Sequence, residues 1–276
     1  MMKYKITLLI LAILACFVVA CEKRDKNKLL DKTSLNQPVQ ISSSPAIIDA
    51  TGYSFNPDTL QSKRIISLAP SITRNIYLLE QQDKLVGVTS YCRMAAGDKK
   101  EIIGTYQSID LEKIILLNPD LILASKEGEV ASAVSKLREL KIPVFIFSAS
   151  VSFDDLKNDF RNLGILLHQP AKAEQVITSA SREVDDLRQQ VSALPKIKVM
   201  VELNTAPLMV AGPDTFINEI IEKAGGINIA ADTFSRWPQY SIEQVVLKNP
   251  DVIIITGMDQ QTEEALKAWE QFPQID

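Results

Sequence analysis

Between Gln169 and Pro195, the apolar residues Ala173, Ile177, Ala180, Val184, Leu187, Val191 and Leu194 recur at gaps of 4, 3, 4, 3, 4 and 3. That spacing lays a single apolar stripe along one helix. Charged and amide side chains fill the intervening positions, Gln169-Pro170 provides a start signal and Pro195 a stop. As a helix, Ala171 to Leu194 would span roughly 36 Å at about 1.5 Å per residue. No Gly or Pro interrupts it, so the pattern predicts a stiff rod, suited either to the surface of one large sheet or to a strut between two lobes.

On both sides of this helix the pattern changes to short apolar runs alternating with helical segments. Residues Ile47 to Thr59 read as a small hairpin around Thr51-Gly52. Arg64 to Ala69 is a strand running into Pro70-Ser71, with Ser71 as the expected N-cap of a helix from Ile72 to Glu80. Strands follow at Leu85–Thr89, Leu121–Ala124 and Val144–Phe147, and helices at 110–117, 130–140 and 153–167. After the long helix, strands are predicted at Lys198–Val201 and Asp251–Ile255, and helices at 214–224 and 241–247. Such alternation implies an α/β protein with mostly parallel sheets.

The two stretches also match in sequence at a constant offset of 131 residues. Leu111-Glu112 pairs with Ile242-Glu243, and Asn118-Pro119-Asp120 with Asn249-Pro250-Asp251. Leu121-Ile122-Leu123 pairs with Val252-Ile253-Ile254, and Tyr106 with Trp237. One Asn-Pro-Asp turn could recur by chance, but a matched glutamate, turn, strand and aromatic in one register favours two related lobes joined by the helix. Two such lobes create a cleft whose width the helix would set, with lobe motions of only a few degrees.

Composition narrows the functional classes. The 276 residues, 46% hydrophobic and 23% charged, suffice for one large or two small domains, and a net charge of −4 gives no electrostatic reason to expect nucleic acid. With 6% aromatics, an aromatic beside a turn stands out as a candidate ligand contact. Cys-x-x-Cys and His-x-x-x-His spacings are absent, and the single histidine, His168, is expected at the surface, so neither a metal centre nor a Cys-His nucleophile pair with Cys92 is indicated.

The N-terminus reads as a targeting segment. Lys3 and Lys5 precede an apolar run from Ile6 to Ala20, the length of a signal-peptide core. It ends in Val18-Val19-Ala20-Cys21, which resembles the lipobox of bacterial lipoproteins and makes Cys21 the expected lipidation site. Cys16 would leave with the signal, so Cys92 stands alone and no intramolecular disulfide is expected. The polar stretch that follows reads as a flexible tether.

The segments RIISLAPSITRNIYLL (64–79), LVGVTSYC (85–92), YQSIDLEKIILLNPDLILAS (106–125), AGGINIAAD (224–232) and RWPQYSIEQVVLKNPDVIIITG (236–257) resemble a known family in order and spacing. It is the helical-backbone cluster of ABC-transporter substrate-binding proteins for cobalamin, haem and siderophores, and the likeness is to its cobalamin-binding branch, over about residues 63–276. The resemblance implies two Rossmann-like lobes joined by the long helix. It also implies a non-enzymatic, lipid-anchored receptor, working as a monomer without a cofactor. Such a receptor captures a corrinoid in the interlobe cleft and delivers it to a permease dimer and its ATPase.

Residue by residue, Tyr91 matches a corrin-facing tyrosine, Tyr106 replaces a tryptophan and Trp237 matches another. Ser125 and Leu203 stand where the cobalamin binders have further aromatics, and Cys92, beside Tyr91, is a further candidate for contact with the corrin. A broad, flat tetrapyrrole suits aromatic walls. Glu112 and Glu243 match glutamates that pair with arginines on the two permease subunits; in the bland reading, each complements its helix dipole.

The implied plan is a signal peptide over 1–20, a tether over 21–45, an N-terminal lobe over 46–168, the backbone helix over 169–195 and a C-terminal lobe over 196–276. The resemblance implies a further strand and helix past Asp276, so either the sequence is a fragment or the second lobe is unusually small. A haem or ferric-siderophore receptor and, from another class, a tetrapyrrole-processing enzyme are the alternatives.

Overall fold

The computed structural model describes residues 45–105, 108–126, 131–256 and 260–272. They separate into two compact units, one ending at Ser179 and the other beginning at Ala180. The expected signal peptide, the tether through Ser44 and the lipidation site Cys21 lie outside the described residues, as does Tyr106. Among the described residues, no helix is long and apolar enough to cross a membrane.

The first unit opens with the predicted hairpin, β1 (Ile47–Ile48) against β2 (Ser54–Phe55). Its main sheet contains β3 (Ile65–Ser67), β4 (Leu85–Val88), β5 (Glu101–Ile102), β6 (Leu121–Ser125) and β7 (Val144–Phe147). All its pairings are parallel, in the order β5-β4-β3-β6-β7. Successive residues of β6 and β7 alternate between two cores: Leu121, Leu123, Phe145 and Phe147 fill one, and Ile122, Ala124, Val144 and Ile146 the other. A strand buried on both faces has no polar side to show, which is why these runs are continuously apolar.

The crossovers are α1 (Pro70–Leu78), α2 (Leu111–Leu116) and α3 (Ala131–Glu139), and α4 (Phe153–Leu166) follows β7. The expected N-cap at Ser71 is not observed. The helix starts earlier, with Ala69 at the cap and Pro70 in the first turn, because a proline pre-sets φ and has no N–H to satisfy there. The short β5 went unrecognised because two residues carry no readable period.

The hairpin runs along the outer edge of β7. Ala50 N–H donates to the Ile146 carbonyl (2.8 Å), and Ile146 N–H donates to Asp49 (3.2 Å). Asp49, 5% exposed, is ion-paired with Arg138, whose guanidinium also donates to the Val144 carbonyl (2.8 Å) and lies 4.8 Å from the Tyr53 ring centroid. The hairpin thereby covers a sheet edge that would otherwise present unpaired backbone groups.

The long helix, α5 (Pro170–Val191), ends one turn before the predicted stop, and Leu194 is 56% exposed beyond it. Its stripe is not evenly buried. Ala173 and Ile177 enter the first unit's core, Val191 is buried at the far end, and Ala180, Val184 and Leu187 between them are half-buried. At its start the fit to α4 is close, because a Cβ on Gly164 would come within 2.4 Å of the Ala173 Cβ.

The second unit holds β8 (Lys198–Thr205), β9 (Leu208–Val210), β10 (Ile227–Asn228) and β11 (Val252–Ile255). β10 and β11 flank β8 in parallel, and β9 returns antiparallel from the end of β8. Its helices are α6 (Phe216–Lys223), α7 (Ile242–Lys248) and α8 (Gln260–Trp269). Glu202, 1% exposed, accepts from the Trp269 indole (2.6 Å) and the Thr205 hydroxyl (2.7 Å), tying α8 to the central strand. Both sheets thus bear out the mostly parallel α/β reading.

Candidate functional site

In a parallel sheet all strands end at the same edge, and ligands of α/β proteins bind beyond that edge. The first unit places two predicted residues there. Tyr91 follows β4 and is 57% exposed, and Ser125 closes β6, half-buried. The loop carrying Tyr91 is pinned twice. The buried Cys92 thiol accepts from the Thr73 hydroxyl (3.1 Å) and lies 3.2 Å from that of Thr89. Further on, the Tyr77 hydroxyl donates to Asp98, which also pairs with Lys100 at 3.1 Å.

Burial, and then the bond to Asp98, push the Tyr77 hydroxyl up to about 12, so this pin stays protonated across the physiological range. Cys92 is 6% exposed and belongs to the core cluster. Its thiol holds the loop in place, and the ligand contact anticipated for it finds no support in its placement.

In the second unit, Trp237 lies in the connection from the end of β10 to α7 and is 42% exposed. This connection is locked against β9: Val210 N–H donates to the Pro238 carbonyl (3.1 Å) and Gly212 N–H to the Arg236 carbonyl (2.9 Å). A Cβ on Gly212 would meet the Ser235 carbonyl oxygen at 2.2 Å, so only glycine permits this approach. Arg236, which sequence reading passed over, donates to the Asp214 carbonyl (2.9 Å) and sets its guanidinium 5.6 Å from the Trp237 ring centroid. Leu203, on β8, packs half-buried with Val199, Val201, Ala211 and Ile221, so most of its apolar surface serves that core.

The repeat reappears as geometry, one copy in each unit. Asp110 caps α2 through Lys113 N–H (2.9 Å), and its mate Ser241 caps α7 through Gln244 N–H (3.3 Å). Each helix gives way to an asparagine with positive φ, Asn118 at 45° and Asn249 at 47°. Each following aspartate then clamps the strand alongside. Asp120 accepts from the N–H groups of Lys63 and Arg64, and Asp251 from that of Lys198 (2.6 Å). The Arg64 guanidinium donates to the Leu117 carbonyl (2.6 Å), and the Lys198 ammonium to that of Lys248 (3.1 Å), its mate in the repeat.

Glu112 and Glu243 therefore occupy the same place, the second residue of a capped helix, and both are exposed. A bond from the Ser241 hydroxyl keeps the Glu243 carboxyl below its usual range. Neither glutamate takes part in an ion pair among the described residues. Nor do the described residues contain a cluster of His, Cys, Asp and Glu able to hold a metal.

Comparison with known proteins identifies this architecture. A family of periplasmic binding proteins matches residues 65–272. A vitamin B12-binding protein of Yersinia pestis (strain Pestoides F) is 33% identical over 215 residues, covering 78% of this chain and 76% of the relative. Among solved structures, the periplasmic vitamin B12-binding protein of Vibrio cholerae is 28% identical with a TM-score of 0.64, covering 77% of this chain and 84% of the other. A periplasmic heme-binding protein from Roseiflexus sp. RS-1 is 25% identical with a TM-score of 0.68, covering 78% and 84%. The chain belongs to the periplasmic binding protein family and is a substrate-binding protein, not an enzyme.

Proposed function

We propose that the chain is the lipid-anchored substrate-binding component of an ABC importer, capturing a corrinoid and delivering it to a paired permease. The observation that carries the reading is the 33% identity over 215 residues to a protein named for vitamin B12 binding. Two exposed aromatics, Tyr91 and Trp237, support it. Both sit on loops beyond parallel strands, and both loops are held by hydrogen bonds. Large aromatic faces bury a flat macrocycle at little cost in side-chain freedom. Tyr106, the repeat mate of Trp237, and Ser125 complete the proposed contacts.

Delivery rests on Glu112 and Glu243, one exposed carboxylate per unit, facing two basic residues on a permease dimer. Opposite charges at such a contact speed encounter and fix orientation more than they add affinity. Anchoring rests on Cys21 in its lipobox-like setting. Replacing Cys21 with Ser should abolish metabolic incorporation of radiolabelled palmitate and release the protein from the membrane fraction.

Calorimetric titration of the chain from about Ser44 with cyanocobalamin, haemin and a ferric siderophore tests the ligand. Binding of cyanocobalamin, weakened at least about tenfold by Trp237→Ala, is the expected result. Binding of haemin alone would replace the corrinoid reading by a haem receptor, the alternative supported by the heme-binding relative. Chemical turnover of any of the three would overturn a binding role. For docking, a Glu112→Ala/Glu243→Ala double variant should bind ligand normally and fail to support uptake.

A further inference from the structure

Two of the most exposed apolar side chains among the described residues are Leu116, 84% exposed, and Leu247, 85% exposed. A single exposed leucine on a protein surface is ordinary. These two, however, are mates in the 131-residue repeat. Each lies four residues after a docking glutamate, Leu116 after Glu112 in α2 and Leu247 after Glu243 in α7. Residues four apart lie on one helix face, so each unit carries the same pair of neighbours, a carboxylate and a bare leucine. Ile115, 48% exposed, broadens the patch in the first unit.

The surroundings leave both pairs available. Lys113, the cation next to Glu112, is drawn to Glu101 (3.0 Å) and to the Ile102 carbonyl (2.8 Å). Lys248, next to Leu247, is drawn to Asp232. These two lysines are thus committed elsewhere, and neither carboxylate is ion-paired among the described residues.

We infer that Leu116 and Leu247 are the apolar halves of two equivalent docking spots. Each spot fits a cation beside an apolar hollow, presented twice by a two-fold pair of transmembrane subunits. The inference rests on the docking reading above and adds to it a division of labour. The glutamates steer and orient through charge, while the leucines supply the buried apolar area that slows dissociation. Duplication of both elements at one offset in a single chain is what a partner built from two copies of one surface demands.

The test measures association of the ligand-loaded full-length protein with its permease–ATPase complex in nanodiscs, at low and high salt. Leu116→Gln/Leu247→Gln, which keeps good helix formers at exposed positions, should weaken association at least about tenfold through faster dissociation, with the salt dependence unchanged. Leu116→Met/Leu247→Met should restore binding. Glu112→Gln/Glu243→Gln should instead slow association and flatten the salt dependence. Unchanged corrinoid affinity and circular dichroism confirm folding in each case. Leucine variants within twofold of the parent, with the glutamate variants impaired, would overturn the leucine assignment and leave docking by the glutamates standing. If neither double variant altered association, both readings would fall.

Discussion

The strand that follows Asn-Pro-Asp meets different fates in the two units. In the first, β6 lies between β3 and β7, and Leu121 to Ala124 are completely buried. In the second, β11 has β8 on one side only within the described sheet, and Val252 to Ile255 are all half-buried. The cap, the left-handed asparagine and the aspartate clamp are nonetheless the same in both. Local chemistry reproduces the helix–turn–strand unit wherever the motif occurs, and neighbouring strands decide how much that unit contributes to stability.

The strongest test of this contrast is the edge cover, which only the first unit's hairpin provides among the described residues. Arg138→Met leaves the Asp49 carboxylate buried without its cation and should cost about 3 kcal/mol, read as early hydrogen exchange in β7. Acid acts on the same contact. Burial alone would raise the Asp49 carboxyl, but bonds from Thr51 and Tyr53 and the charge of Arg138 together hold it below its usual range. Its stabilisation is therefore complete above the unfolded value of about 3.9 and lost as pH falls through the lowered folded value. Asp49→Asn should flatten the decline of melting temperature below about pH 4.

The strand cores come next. Ile122→Ala should cost about 3 kcal/mol, while its mate Ile253→Ala, removing less buried surface, should cost roughly half as much. Denaturant titration followed by hydrogen exchange in β6 and β11 separates the two, and equal losses would remove the burial argument. The clamps should differ in the same direction. Asp120→Ala frees two backbone donors and Asp251→Ala one, so the first should cost more by about 1 kcal/mol. The smallest effect should be symmetrical. Asn118→Ala and Asn249→Ala each force a Cβ-restricted residue into positive φ and should each lose about 1 kcal/mol, whereas glycine at either position should be nearly neutral.

Much of this organisation could be read from the residues themselves. The 3.6-residue stripe marked α5, the unbroken apolar runs marked β6 and β7, and the offset of 131 marked the duplicated unit before any coordinate. It also held the signal for Leu116 and Leu247, but leucine near a helix end looks like core until its exposure is known. Short elements such as β5, β9 and β10 were not legible, because two or three residues define no period and exist only by pairing with a longer strand. Cys92 beside Tyr91 looked like a ligand neighbour, since adjacency in sequence does not reveal that successive residues point opposite ways; its thiol turns inward to Thr73 and Thr89.

What the sequence determined by itself is therefore whatever rests on local periodicity and turn chemistry: most of the helices, though not α8 (Gln260–Trp269), the long strands, the repeat and the family. Tertiary structure alone decided burial. It showed that the apolar stripe of the long helix is buried at its two ends and half-exposed between them, that β11 is half-covered where β6 is enclosed, and that the Trp237 loop is locked against β9 and Gly212. Burial depends on residues far apart in the chain arriving at one place, and no local pattern encodes that arrival.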